Sequence, residues 1–177
     1  MTEKNDTRML TEKYIFRNIR QEEIAQTSEI EKICFPPNEA CSYKHMEERV
    51  KKAPELFLVA EDRATGKIAG FLNGLATDRE HLTDDFFTDA EMHDPKGKNI
   101  MLLGLDVLPK YQHQGLAREL VRCYKEREKV NGREKLILTC LPDKVEMYQK
   151  FGFKDHGIGD SVWGGEAWHE MSVELWG

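Results

Sequence analysis

A buried-strand pattern passes directly into an amphipathic helix through a short polar loop in the second half of the chain. The apolar run MLLGLDVL at 101–108 stops at Pro109, and a helix-forming segment follows from about Gly115 to Val130. In that segment apolar side chains recur every four residues, at Leu116, Leu120 and Tyr124. A strand that leads at once into a helix is the building unit of α/β folds. We therefore expect an α/β domain.

The rest of the chain supplies further strands and helices around this unit. Strands are predicted at 14–20, 56–62, 67–77, up to Val107, at 135–141 and at 166–175, and helices at 21–35, 44–53, 115–130 and from Asp143 to Gly152. The order β-α-α-β-β-β-α-β-α-β-β predicts a mixed, mostly antiparallel sheet of about seven strands flanked by helices. We expect one domain over 13–177, after a flexible N-terminus at 1–12.

Local signals define several details within these elements. The first long helix is expected to bury one face, which carries Ile24, Ser28, Ile30 and Ile33. Arg-Ala-Thr-Gly at 63–66 predicts a hairpin between the second and third strands. Asp143 has Glu146 three residues after it, so it is expected to cap the last helix. The segment 77–98 is acidic and too long for an ordinary connection, which predicts a functional or partly helical segment.

Charge and hydropathy exclude some classes of partner. The 177 residues include 26 basic and 32 acidic side chains, for a net charge of −6, which argues against binding nucleic acid through its phosphates. No apolar run approaches the roughly 20 residues that a membrane helix needs. The N-terminal segment MTEKNDTRML has no apolar stretch typical of a secretory signal. We expect a cytoplasmic protein without a membrane or nucleic-acid partner.

The cysteines give no sign of a metal site. Cys34, Cys41, Cys123 and Cys140 form no CxxC pair, and no histidine lies at metal-ligand spacing from them. Cys123 and Cys140 lie in apolar-patterned segments, where cysteine usually packs as a small core residue. Reduced, structural thiols and no metal are expected.

The polar loop before the long helix is suited to bind an anion. A helix N-terminus leaves about four backbone N–H groups unpaired and carries partial positive charge. Gly115 has no side chain to keep a ligand away, and Gln112 and Gln114 carry no competing negative charge. The loop lacks the Gly-Lys-Ser/Thr of a Walker loop and the glycines of GxGxxG. On these residues alone, a pyrophosphate site and a plain turn remain equally good interpretations.

Two motifs in the right order resemble the GNAT (GCN5-related N-acetyltransferase) family. One is Gln112-x-x-Gly115-x-Ala117, and the other is Tyr148 followed by Phe-Gly-Phe at 151–153. The resemblance spans roughly residues 14–176. It is strongest for the arylalkylamine (serotonin-type) N-acetyltransferase branch, through the stretches APELFLVAED, GKIAGFLNGLATDREHLT, VLPKYQHQGLA and DKVEMYQKFGF.

The resemblance implies a fold, a co-substrate and a set of site residues. It implies a sheet splayed between strands 4 and 5, acetyl-CoA as donor, and direct attack by the primary amine of a small molecule, arylalkylamine- or polyamine-like. It implies that Tyr148 is the general acid and that a backbone N–H near Leu105 polarises the thioester carbonyl. The residues that it implies for acetyl-CoA binding are Leu105, Val107, Gln112, His113, Gln114, Gly115, Leu116, Ala117 and Asp143.

The general base is the point at which the sequence departs from that branch. Branch members carry two histidines on the fourth strand, at the positions of Met101 and Leu103, and neither of these can accept a proton. The amine proton must therefore go to another residue, a water chain or bulk solvent. The candidate bases are Glu80, His81, Asp84, Asp85 and His169.

The acceptor end is expected to combine acidic and aromatic side chains from three segments, 36–43, 77–98 and the loop before the last strand. The acidic candidates are Glu39, Asp84 and Asp85, and the aromatic ones are Phe86, Phe87, Trp163 and Trp168. Two other functions stay open: an acyl-CoA-binding module without turnover, and acetylation of a peptide N-terminus or a lysine. A monomer and a homodimer are both compatible with the sequence.

Overall fold

A computed structural model describes residues 3–176, with side chains from residue 7 onward. Its helices are α1 Glu3–Lys13, α2 Ile24–Cys34, α3 Tyr43–Lys52, α4 Asp85–Thr88, α5 Leu116–Val130 and α6 Val145–Lys150. Its strands are β1 Tyr14–Asn18, β2 Phe57–Asp62, β3 Ile68–Thr77, β4 Asn99–Val107, β5 Lys135–Cys140, β6 Lys154–Ile158 and β7 His169–Glu174. No helix in this part of the chain is long and apolar enough to cross a membrane.

All seven strands form one sheet in the order β1-β2-β3-β4-β5-β7-β6. Only β4 and β5 pair in parallel, and every other neighbouring pair is antiparallel. The connection between the parallel strands is α5, as a right-handed crossover requires. The predicted single domain with a mixed, mostly antiparallel sheet of about seven strands is confirmed.

Apolar side chains cover both faces of the sheet. On one face α5 buries Leu120 and Tyr124, and the Tyr124 hydroxyl donates to the Leu56 carbonyl at 2.9 Å. On the other face α3 buries Met46 and Val50 in the same cluster as Phe71 of β3. Burying a side chain of this size contributes about 1.5–3 kcal/mol. The sheet is therefore held between two helical layers, and any site must open at an end of the sheet.

The sheet opens between β4 and β5. Their pairing covers only Asn99 to Met101 on β4, and β5 continues beside β7 as far as Cys140. The remainder of β4 has a neighbour on the β3 side alone, where the register shifts by one residue after Asn73. The implied splay between strands 4 and 5 is confirmed, and it leaves a gap beside residues 102–107.

The N-terminal segment differs from the irregular one that its polar composition predicts. Residues 3–13 form α1, in which Leu10 is buried in the main core. The Lys13 carbonyl accepts from the Arg63 amide at 3.0 Å, which ties the end of the helix to the hairpin. Tertiary contacts rather than helix propensity hold this segment, and a pattern search over local sequence does not detect them.

Two predicted details of the helices are wrong. Ile33 does not share the buried face of α2, since its side chain is 53% exposed while Ile24, Ser28 and Ile30 are buried. Asp143 does not cap α6, because residues 142–144 form a 3-10 turn and Lys144 occupies the N-cap position. The proline at 142 starts this turn, so the helix begins at Val145, later than the capping pattern indicates.

Candidate functional site

The loop between β4 and α5 is held by its two glutamines. The Gln112 amide donates to the Val107 carbonyl at 3.0 Å. The Gln114 side-chain oxygen accepts from the Tyr14 hydroxyl at 2.9 Å and from the Lys13 ammonium at 2.8 Å. Both side chains are therefore engaged by the protein. In this structure the two side chains fix the path of the loop. The backbone of the loop is then the part that can bind a ligand.

The backbone N–H groups of residues 113–118 point to no acceptor in the backbone of residues 3–176 or in the side chains of residues 7–176. His113 and Gly115 have positive φ, 62° and 83°, so the chain curves and turns successive amides towards one side. Curved runs of this kind form concave anion sites, and here the run continues into the N-terminus of α5. Leu116 anchors that terminus, because its side chain is 2% exposed. The geometry is that of an anion-binding loop.

Open space lies in front of Gly115. A Cβ built on this residue has Leu10 Cδ1 as its nearest neighbour, at 3.9 Å. The protein itself would therefore tolerate the volume of a side chain here, although a φ of 83° strains any residue other than glycine. The room in front of the amides is available to a ligand.

Basic side chains line a groove beside the loop. The groove has a volume of about 510 Å³, and its lining includes His113, Gly115, Arg118, Arg122, Lys125 and Lys150. Arg122 is paired with Glu119 and Glu126, and the Lys125 ammonium donates to the Phe151 carbonyl at 3.1 Å. Sequence reasoning missed this basic lining. The signal was available, because positions 118, 122 and 125 share one face of a helix.

The β4 backbone presents groups to the gap that pair with no neighbouring strand. The Leu108 amide donates to Ala69 on the β3 side at 3.0 Å, and antiparallel pairing alternates direction residue by residue. Leu105 and Val107 therefore direct their backbone groups away from β3, towards the gap. The Val107 carbonyl accepts from the Cys34 thiol at 3.4 Å, as well as from Gln112. An extended ligand can pair with this edge as an added strand does.

Tyr148 lies on α6 at the same end of the gap. Its ring packs edge-on against Phe151 and Phe153, with centroids 6.0 and 5.7 Å away. Its hydroxyl makes no hydrogen bond with the residues that the structure describes. Burial raises the pKa of Tyr148 above its usual value, and the charges of Cys140 and Asp106 raise it further. Because Cys140 ends β5 and Asp106 lies on β4, the hydroxyl is close to both diverging strands.

The two positions at which the arylalkylamine branch carries histidines are apolar and buried in this protein. Met101 is 0% and Leu103 is 8% exposed, and both belong to the main core. Of the candidates in the acidic segment, Glu80 is bound by Lys98 at 2.8 Å and Lys135 at 3.2 Å. These hydrogen bonds lower the pKa of Glu80 to about 2, so it is a weak base. His81 is mostly exposed and lies 2.8 Å from a carboxylate oxygen of β7.

The other base candidates are also engaged by the protein. Asp84 accepts from the Ser161 hydroxyl and from a backbone amide of the β6–β7 loop, so it anchors that loop. Asp85 accepts from a threonine hydroxyl two residues before it. His169 Nδ1 lies 3.0 Å from Asp155. None of the three side chains extends unpaired into the gap between β4 and β5.

The structure brings together some of the aromatic side chains that were expected at the acceptor end. Trp163 packs on Phe87 with ring centroids 5.0 Å apart, and its indole donates to the Glu39 carbonyl at 2.8 Å. The Trp168 indole donates to the Trp163 carbonyl at 2.8 Å. Phe86 does not join this group, because it is 0% exposed and fills the core under α4. Two tryptophans and one phenylalanine therefore form the aromatic wall.

A carboxylate group accompanies this wall. Burial raises the pKa of Glu39, and the neighbouring charges of Glu166 and Asp143 raise it further. The charge of Asp143 therefore acts on Glu39, while its implied role in acetyl-CoA binding stays a prediction. No group of histidine, cysteine and acidic side chains within residues 7–176 is arranged to hold a metal ion.

Solved structures with the same fold include GNAT proteins. The loading GNATL domain of CurA from Lyngbya majuscula has a TM-score of 0.78 at 17% identity, over 92% of this chain and 98% of that chain. The GphF GNAT-like decarboxylase, in complex with isobutyryl-CoA, has a TM-score of 0.75 at 18% identity, over 91% and 99%. The putative acetyltransferase yncA from Salmonella typhimurium, with acetyl-CoA, has a TM-score of 0.63 at 15% identity, over 92% and 94%. At these identities the likeness concerns the fold.

A curated relative and a family model match the sequence itself. The chain is 27% identical to "Probable hydrolase YhcX" of Bacillus subtilis (strain 168) over 158 residues, and this matched region covers 85% of the chain. The chain spans 30% of that protein's length. The model of the acetyltransferase (GNAT) family matches residues 23–153, which include the anion-binding loop, the open edge of β4 and Tyr148. With its fold and the larger part of its sequence matched, the chain belongs to the acetyltransferase (GNAT) family.

Proposed function

We propose that this protein transfers the acetyl group of acetyl-CoA to the primary amine of a small molecule, arylalkylamine- or polyamine-like, by direct attack in a ternary complex. One observation carries the proposal. The open β4 edge at Leu105 and Val107 leads along the chain to the free amides at 113–118, and the free Tyr148 hydroxyl is coupled electrostatically to Asp106 on β4 and Cys140 on β5, the two strands that border the gap. Structures of this fold with bound acetyl-CoA or CoA support a donor of that class.

Each part of the path has a chemical task in this proposal. The amides of the loop and the N-terminus of α5 hold the pyrophosphate, and Arg118 adds positive charge beside them. The backbone of Leu105 and Val107 pairs with the pantetheine arm, and a backbone N–H near Leu105 polarises the carbonyl. Acetyl-CoA supplies the acetyl group as a thioester. Tyr148 donates a proton to the departing sulfur.

The aromatic wall and the carboxylate group beside it favour a cationic amine with an apolar arm. Glu39, with Glu166 and Asp143 beside it, attracts an ammonium group. Phe87 and Trp163 present aromatic faces for an alkyl or aryl arm, through stacking or cation–π contact. The arylalkylamine branch itself rests on the sequence resemblance, and its histidines are replaced here by Met101 and Leu103.

The test is release of free thiol from acetyl-CoA in the presence of a panel of amines. We expect turnover with at least one small arylalkylamine or polyamine, and a lower rate with peptides that carry a free N-terminus or lysine. Saturable binding of acetyl-CoA without thiol release for every amine would favour an acyl-CoA-binding module instead. Higher turnover with the peptides would favour a peptide acetyltransferase.

Gly115→Val should raise the KM for acetyl-CoA at least about tenfold, equivalent to about 1.4 kcal/mol of binding. The valine side chain would fill the open space in front of the amides that we assign to the pyrophosphate. Gly132→Val is a matched control, because Gly132 has the same φ of 83° at the other end of α5 and nothing within 4 Å of its Cβ. Equal KM values for the two folded variants would locate the phosphates elsewhere.

The alkaline limb of activity should lie above pH 10. A tyrosine in water has a pKa of about 10, and burial together with Cys140 and Asp106 raises the pKa of Tyr148 above that value. The protonated, proton-donating form therefore persists to higher pH than in a free tyrosine. We expect kcat to hold its plateau through pH 10, with circular dichroism as the check on folding. A decline centred near pH 10 in folded protein would contradict the assignment.

A further inference from the structure

Four polar side chains form a buried cluster on the face of the sheet that α2 and α3 cover. They are Glu31 of α2, Arg49 of α3, Asn73 of β3 and Asp106 of β4, and each is at most 4% exposed. Asp106 pairs across the strands with Phe71, which packs against α3. The cluster therefore lies behind β4, beside the part of the strand that borders the gap.

The hydrogen bonds of this cluster are incomplete. Arg49 donates to the Phe87 carbonyl at 2.9 Å and reaches Asn73 at 3.5 Å, and one Glu31 oxygen accepts from the Cys41 amide at 2.9 Å. Both carboxylate oxygens of Asp106 and the second oxygen of Glu31 accept from no N–H or O–H donor of the described chain. The two carboxyl groups face each other instead, and they can hydrogen-bond only when one of them carries a proton. Buried carboxyl oxygens without partners destabilise a fold, so a cluster of this kind indicates a function.

The unpartnered oxygens converge on Gly104. A Cβ built on Gly104 would lie 3.2 Å from Asp106 Oδ1 and 3.7 Å from Glu31 Oε1. Asn73 Nδ2 would also lie 3.2 Å from that Cβ, so the missing side chain lets the carboxyl pair approach the β4 backbone closely. Gly104 is only half-buried, and it directly precedes Leu105, whose backbone faces the gap. A nitrogen atom positioned at the thioester would then lie beside Gly104.

We propose that the Glu31–Asp106 carboxyl pair, reached over Gly104, is the general base that accepts a proton from the acceptor amine. This inference rests on the proposed acetyl transfer. The ammonium nitrogen gives one proton to the pair and then attacks, so that the nitrogen–carbon bond forms as the carbon–sulfur bond breaks. The sulfur takes the Tyr148 proton, and the second nitrogen proton restores the Tyr148 hydroxyl. The pair later releases its proton to solvent, which completes the balance.

The electrostatic surroundings suit this role. Burial raises the pKa of Asp106 well above its usual value, and Glu31 raises it further, while Arg49 opposes the shift. A carboxyl whose pKa approaches the working pH is a better base than an ordinary one. The other titratable groups that face the pair are neutral near pH 7: burial raises the pKa of Cys34 and of Cys41 to about 12, and that of Tyr148 above its usual value. Arg49 is the one cation that these couplings place beside the pair.

The test compares wild-type enzyme with D106N and E31Q over pH 6–10, with thiol release as the assay. We expect kcat for D106N to fall by about 10²–10⁴-fold, the range typical of a lost acid–base group, without a change in the KM for acetyl-CoA. The rising limb should move towards the pKa of the free amine, about 10.4. A fluorinated amine that is already neutral at pH 7 should recover most of the lost rate.

Folding is followed in the same variants. Asparagine matches the shape of aspartate. Because the pKa of Asp106 is raised in the folded state, the folded protein loses stability as pH rises above the pKa of an unfolded aspartate, so D106N should melt at a higher temperature than wild type at pH 8. E128Q is the control, since Glu128 is a carboxyl 1% exposed on α5 that is bound by Arg133 and Asn131 and lies outside the Glu31–Asp106 cluster, so this variant should keep the wild-type pH profile. Should D106N not fold, Gly104→Ala decides, because its methyl group would lie between the carboxyl pair and the β4 backbone and should lower kcat with both carboxyls in place.

The outcomes separate this inference from the proposed function. Wild-type protein that releases no thiol with any amine would refute the proposed function. Active wild-type protein whose D106N and E31Q variants keep the full rate and an unshifted rising limb would overturn the base alone. A Gly104→Ala variant with wild-type kcat would also overturn the assignment of the base and leave the proposed function standing.

Discussion

We expect Tyr148→Phe to lower kcat by about 10²–10⁴-fold with an unchanged KM for acetyl-CoA. Phenylalanine keeps the edge-on packing against Phe151 and Phe153, so that only the hydroxyl is lost. That hydroxyl has no partner in the described chain, and its removal leaves no protein group unsatisfied. Steady-state kinetics at saturating amine, together with thermal unfolding, measure the effect.

The matched control removes a structural hydroxyl. Tyr124→Phe deletes the hydrogen bond to the Leu56 carbonyl, so it should reduce the free energy of unfolding by about 1 kcal/mol and leave kcat unchanged. The opposite result, with full activity in Tyr148→Phe, would reduce Tyr148 to a packing residue.

Arg49→Met should lower the free energy of unfolding by about 3–5 kcal/mol near pH 8. The change leaves Glu31 and Asp106 buried without the cation beside them. Protonation neutralises a carboxyl below its folded-state pKa, and the pKa of Asp106 is raised, so the loss should be smaller at pH 5 than at pH 8. Urea unfolding at the two pH values measures both quantities.

Lys51→Met provides the comparison, because it removes a positive charge from an exposed position of the same helix. The Lys51 side chain is 61% exposed and paired only with Glu47, so we expect a change within about 0.5 kcal/mol at both pH values. An Arg49→Met variant as stable as Lys51→Met would mean that water or relaxation of the chain compensates the two carboxyls.

The sheet and the backbone path of the loop before α5 were predictable because local pattern determines them. Apolar periodicity changes from strand to helix around Gly115, and the glycine itself indicates a positive φ and close backbone approach. The family resemblance then predicted the splay beside β4. A motif of this kind predicts backbone paths well, since only a few residue types permit them.

The buried acid pair was not predictable in the same way. Glu31 and Asp106 belong to different elements, and no local pattern connects a carboxylate on α2 with one on β4. One signal was present in the sequence: Asp106 is the single charged residue in the apolar run MLLGLDVL. A charge inside a buried strand requires an explanation. The family resemblance indicates base positions at Met101 and Leu103 and assigns no role to Asp106.

Because β4 and β5 pair only briefly, the acyl donor of the proposed reaction would also hold the two halves of the sheet together when bound. Three residue pairs join the halves of the sheet, and a bound pantetheine arm would bridge the remainder of the opening. Ligand at a hundredfold excess over its Kd adds about 2.7 kcal/mol to the free energy of unfolding. The lifetime of the folded chain in a cell would therefore depend on the concentration of the acyl donor. When the donor is scarce, both the reaction rate and the amount of folded protein would fall.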